Sequence, residues 1–119
     1  MEARLEPPCD VASAVKLLGS LRNKFPEATF AIRGGGHSPN VGAANVANGV
    51  TIDMRRMKSI VVNDEGAVAG VGAGAIWSDV YAELLTKTLS VVGGRVAGVG
   101  VGGFVTGGKD FFSYLVNLC

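Results

Sequence analysis

Histidine is nearly missing from this sequence: among 119 residues, His37 is the sole example. Cysteine is scarce as well. Cys9 and Cys119 lie near opposite ends, so no zinc-type ligand spacing exists and no metal site is expected. The pair could form a terminus-to-terminus disulfide, but two separate thiols is the simpler reading. Net charge is only +1 with Lys and Arg scattered, so neither nucleic acid nor an anionic membrane is an expected partner. No apolar run approaches the roughly 20 residues of a membrane-crossing helix. The opening MEARLEPPCD lacks the apolar centre of a signal peptide, and the sequence leaves the compartment undetermined. No linker or fixed-period repeat divides the chain, whose length suits one compact domain.

Glycine is what the sequence has in excess. The 18 glycines cluster at 34–36, 70–74, 93–94, 98–103 and 107–108, interleaved with Val, Ile and Ala. With 48% hydrophobic and 18% charged residues, this is a folded chain rather than a flexible linker. Each glycine placed in a helix or strand costs about 0.5–1 kcal/mol relative to alanine. So many clusters imply turns with positive φ, or backbone pressed against a ligand.

Asp10 reads as an N-cap for a helix carrying Val11, Ala14, Val15, Leu18 and Leu21 on one face, stopped by Pro26. Thr29–Arg33 is a short buried strand that runs straight into glycines. Val50–Asp53 and Ser59–Val62 read as further strands, and Asn63–Gly66 as a hairpin turn returning Ala67–Ala73. Trp77, Val80, Tyr81, Leu84 and Leu85 mark an amphipathic helix ending near Thr88. Leu89–Val92 is a last short strand before a glycine-rich tail. The fold class is therefore α+β, a small mixed sheet with packed helices.

Three glycine segments compete for a ligand. GVGAGA, residues 70–75, fits a dinucleotide fingerprint, but no acidic residue ends the next strand and its own strand comes from a hairpin. A tight turn into a helix explains it. GVGVGG, residues 98–103, fits the same pattern, but too few residues follow for the second half of a βαβ unit. RGGGHS, residues 33–38, ends a strand with successive backbone N–H groups, a concavity suited to phosphate oxygens, and Ser38 adds a hydroxyl. From the residues alone, an irregular turn with a structural histidine stands beside that reading.

The motifs taken together carry a resemblance. IRGGGHS (32–38), VTIDMRRM (50–57), GVGAGAIWSDVY (70–81) and GGRVAGVGVGGFVTGG (93–108) occur in one order and spacing. The chain thereby resembles the berberine-bridge-enzyme-like flavoprotein oxidases, whose FAD-binding domain is of the p-cresol methylhydroxylase and vanillyl-alcohol oxidase type. The resemblance implies FAD as cofactor, with Arg33, Gly34, Gly35, Gly36 and Ser38 wrapping its pyrophosphate. His37 would be bonded to the flavin 8α-methyl carbon. Gly98, Gly100, Gly102, Gly103, Thr106, Gly107 and Gly108 would form a second flavin-facing segment. Asp53 is read as a turn-capping carboxylate, Trp77 as a core aromatic, and Arg95 as either a phosphate contact or a solvated side chain.

The resemblance also has breaks. Lys109 and Asp110 stand where a third glycine would follow, Cys119 lacks the context of a second flavin tether, and no strand separates Cys9 from the first helix. Residues 10–108 are accordingly expected to be a partial FAD-binding domain and 109–119 a divergent tail. The substrate domain and catalytic base would be absent, so no catalytic residue is assigned. Two functions follow: the FAD-binding part of an oxidase that acts on alcohol, sugar or amine-type substrates, or a non-catalytic remnant without a tight ligand. For these residues in isolation the remnant is preferred. A small-molecule substrate would be a partner only in a full-length parent, and full-length relatives are often secreted.

Overall fold

The computed structural model describes residues 2–4, 8–63, 65, 68–107 and 115–117. Its elements run β1 (Glu2–Arg4), α1 (Pro8–Lys24), β2 (Thr29–Arg33), β3 (Gly49–Asp53), β4 (Ile60–Val62) and β5 (Ala69–Val71). They continue with α2 (Trp77–Leu85), β6 (Leu89–Val91), α3 (Val101–Thr106) and β7 (Leu115–Asn117). This is the expected α+β class, a small layer of helices and strands. Parallel and antiparallel pairings both occur, but in separate sheets.

The first sheet has order β1-β3-β2, and both of its pairings are parallel. Central strands of parallel sheets are covered on both faces. β3 obeys this: Thr51, Ile52, Asp53 and the following Met54 are all buried. Leu18 of α1 packs on Ile52 and Met54, with Val11, Ala14 and Leu21 around them. Val15, expected on the same face, is instead exposed.

α1 starts at Pro8, so Asp10 lies in its first turn and is not the N-cap. Proline is well suited to a first helical position, because the amide it lacks would have had no partner in the helix. Asp10 still favours the helix start as a negative charge near the amide end. Cys9 itself lies in the first turn of α1, and β1 lies ahead of the helix.

The second core belongs to residues 60–104. β4 and β5 form the expected antiparallel hairpin. Trp77, Val80 and Leu84 are buried along one face of α2 with Ala75 and Val101, while Leu85 is exposed. β6 pairs antiparallel with β7, which accounts for part of the expected tail. The residues read as a glycine-rich tail also contain a helix, α3, missed because Gly102 and Gly103 argue against helix by propensity. Tertiary contact overrides that: Val101 is buried in the second core and its N–H donates to the Ala75 carbonyl at 2.9 Å.

Candidate functional site

β2 delivers the chain to Arg33, whose carbonyl accepts the Met54 N–H at 2.8 Å. The backbone then leaves the sheet through Gly34, Gly35 and Gly36. Gly36 has φ of 69°, a conformation that side-chain-bearing residues rarely adopt. Arg33 Nε lies 3.0 Å from where a Gly36 Cβ would stand, so this guanidinium packs beneath the loop. A Cβ on Gly35 would come within 2.8 Å of both the Gly98 oxygen and Gly100 Cα. Reciprocally, a Cβ on Gly100 would approach Gly35 Cα to 2.9 Å. The two glycine loops touch backbone to backbone. Part of the sequence expectation changes here: Gly35 and Gly100 are small because they meet each other.

The second loop is anchored by the start of α2. The first amides of a helix have no partner within it. Here Trp77 N–H donates to the Val99 carbonyl at 3.0 Å and Ser78 N–H to the Ala97 carbonyl at 3.2 Å. Ile76 and Gly100 form an antiparallel bridge. Residues 97–101 are thus stitched to α2, and through Gly100 to the loop after β2.

Between the loops lies a cleft of about 960 Å³. Small-molecule sites span roughly 300–1,000 Å³, so this one suits a large, extended ligand. Gly34, Gly35, Gly36, His37 and Ser38 line one wall; Gly100, Gly103 and Gly107 line the other. Several expected residues fall outside the lining. Arg33 is turned under its own loop, and Gly98 lies behind His37, its Cβ direction 3.7 Å from the ring Cδ2. Gly102 faces the Ala73 carbonyl, 2.7 Å from an added Cβ. Thr106 donates its hydroxyl to the Gly102 carbonyl at 2.9 Å. Gly108 lies outside the described residues.

The cleft wall has unspent donors. Among the described residues, the amides of 34–38 donate to no acceptor, and the exposed His37 has no hydrogen-bond partner. Ser38 Oγ accepts the Asn40 N–H at 3.3 Å, which leaves its own proton available. A Cβ on Gly103 would meet nothing within 4 Å, because this position opens on the cleft. Val99 and Phe104 add an apolar surface that sequence reading missed, since one valine and one phenylalanine carry no local marker of a ligand wall.

The remaining expectations concern support. Asp53 caps its turn, accepting the Arg55 N–H at 3.0 Å and chelating the Arg55 guanidinium. Trp77 is a core aromatic, stacked with Tyr81 and edge-on to Phe104. Tyr81 donates its hydroxyl to the Gly94 carbonyl at 3.0 Å, and burial pushes its pKa up, which keeps that donor protonated. The dinucleotide-like segment is accounted for by packing: a Gly74 Cβ would fall on the Met54 carbonyl, and a Gly72 Cβ on that of Met57. No metal-capable group of His, Cys, Asp and Glu occurs among the described residues.

An FAD molecule fits what this cleft offers: free amides and a hydroxyl for a diphosphate, a bare glycine at 103, and an apolar surface for a ring. Comparison with known proteins agrees. The FAD binding domain family matches residues 4–109. An FAD-dependent monooxygenase of Cochliobolus heterostrophus is 44% identical over 101 residues, covering 85% of this chain and 18% of that protein. An FAD-dependent monooxygenase of Emericella nidulans is 38% identical over 120 residues, covering 94% of this chain and 24% of that protein. The solved 6-hydroxy-D-nicotine oxidase of Arthrobacter nicotinovorans superposes with a TM-score of 0.73 at 32% identity, over 83% of this chain and 20% of that one. The chain therefore spans about a fifth of the length of these relatives. It belongs to the FAD binding domain family, in the p-cresol methylhydroxylase and vanillyl-alcohol oxidase type of flavoenzymes.

Proposed function

We propose that this chain is the part of a flavin-dependent oxidoreductase that grips the FAD diphosphate and tethers the flavin. The observation that carries the reading is the run of unpaired amides at 34–38 lining the cleft beside an exposed, unpartnered His37. Residues 10–108 act as this binding domain. Gly34–Ser38 supply amide and hydroxyl donors to the diphosphate oxygens, since a nest of successive N–H groups is a natural anion site. Val99 and Phe104 exclude water from the flavin face, and Gly103 leaves room for it. Arg33, Gly98, Gly102 and Thr106 brace the loops rather than touch the cofactor.

When bound, FAD supplies a two-electron acceptor for hydride from a substrate carbon of the alcohol, sugar or amine type. Among the described residues no carboxylate lines the cleft, and no base for that oxidation is assigned. His37 contributes the tether. An imidazole carries a nucleophilic ring nitrogen, and this one is exposed on the cleft wall. A bond from that nitrogen to the flavin 8α carbon would take the place of one methyl C–H and the imidazole N–H, with dioxygen accepting the two protons and two electrons as hydrogen peroxide.

The test is acid precipitation after incubation with FAD in air. The chain should give a yellow pellet with the mass of protein plus FAD less two hydrogens, and His37→Ala should bind FAD yet give a colourless pellet. A wild-type chain that never takes up FAD would overturn the proposal; uptake without a covalent adduct would remove the tether alone.

A further inference from the structure

We infer that Arg95 is the charged contact for the phosphate oxygens of the cofactor, held in place by Trp77 and Tyr81; this rests on the FAD reading of the cleft. His37 and Arg95 are the only ionisable residues lining the cleft among the described residues, and no carboxylate lines it. Arg95 therefore supplies the permanent charge of the wall. Its side chain is exposed and makes no ion pair or hydrogen bond with any described residue. A surface arginine with no nearby acid is ordinarily just solvated. What separates Arg95 from that case is its base.

Gly93 and Gly94 lie flat on the Trp77 indole, so a Cβ at either position would collide with the ring. Tyr81 fixes the Gly94 carbonyl through its hydroxyl at 3.0 Å. The peptide entering Arg95 is thus pinned from below and from the side. A long cation springing from an immobilised backbone loses less entropy on binding than one on a mobile loop. A guanidinium also offers a planar fork of donors that matches phosphate oxygens. The amides of 34–38 and Arg95 would then approach the diphosphate from the two walls.

The experiment titrates FAD, and separately riboflavin, into the whole chain, with His37→Ala as the common background so that no covalent bond forms. Flavin fluorescence reports binding. Arg95→Gln should weaken FAD by roughly tenfold, as expected for losing a charge-assisted hydrogen bond, and leave riboflavin within about twofold. Inorganic pyrophosphate should compete with FAD less well in that variant. Arg95→Lys should recover part of the loss, and Tyr81→Phe should reproduce part of it with riboflavin unaffected. Unchanged FAD affinity in Arg95→Gln would overturn the inference and assign Arg95 to solvent or to a substrate anion. Equal losses of FAD and riboflavin would overturn it too, marking a shape effect. If the background chain binds neither flavin, the FAD reading itself falls, and this inference with it.

Discussion

Glycine segments that look alike in the sequence serve opposite ends. In GVGAGA, Gly72 and Gly74 press on the carbonyls of Met57 and Met54, joining the hairpin-and-helix core to the parallel sheet. In the pair GGG and GVGVGG, Gly35 and Gly100 lock the loops together, while Gly36 and Gly103 border the cleft. The first kind of glycine is small to admit the protein's own backbone. Of the second kind, some admit backbone and some leave space for a ligand. A glycine pattern alone does not distinguish these, because both demand the same missing Cβ.

Substitutions that add a single methyl group sharpen the contrast. Gly74→Ala should have the largest effect, since its Cβ would land on the Met54 carbonyl within a buried stretch. We expect a loss of about 3 kcal/mol, the upper part of the range for overpacking, read as a lower urea midpoint. Gly35→Ala comes next. It should cost about 2 kcal/mol by driving the loops apart, with FAD affinity falling at least as far as stability. Gly103→Ala separates site from fold. Its Cβ has open space on the protein side, so stability should hold or rise by about 0.5–1 kcal/mol as alanine replaces glycine in a helix. FAD affinity should nonetheless fall, by isothermal titration. A Gly103→Ala chain that binds FAD as well as wild type would place the cofactor elsewhere.

The sequence made β2 and β3 legible because their ends carry clear signals: Pro26 before Thr29, and Asp53 closing its strand as a turn cap. The buried face of α2 was equally plain from its helical spacing. The loop at 34–38 is legible because three successive glycines follow a strand and offer bare backbone N–H groups. What escaped were features decided by distant partners. α3 forms against its glycines because Val101 is fastened to Ala75, and nothing local in GVGVGG announces that. α1 starts ahead of Asp10 because Pro8 tolerates a first helical position. Thr106, which the resemblance places near the flavin, donates its hydroxyl one helical turn back to the Gly102 carbonyl. Local chemistry predicts where a backbone can bend; only packing decides which bend faces the ligand.

Amide hydrogen exchange, followed residue by residue with and without FAD, puts the account to its sharpest trial. Naked N–H groups at 34–38 should exchange fast in the free chain and slow markedly once the diphosphate occupies them, while residues 70–75 stay as they were. Slowing confined to 70–75, or FAD binding that leaves 34–38 exchanging as before, would mean that the cofactor sits on the other glycine segment and that the cleft described above is not its site.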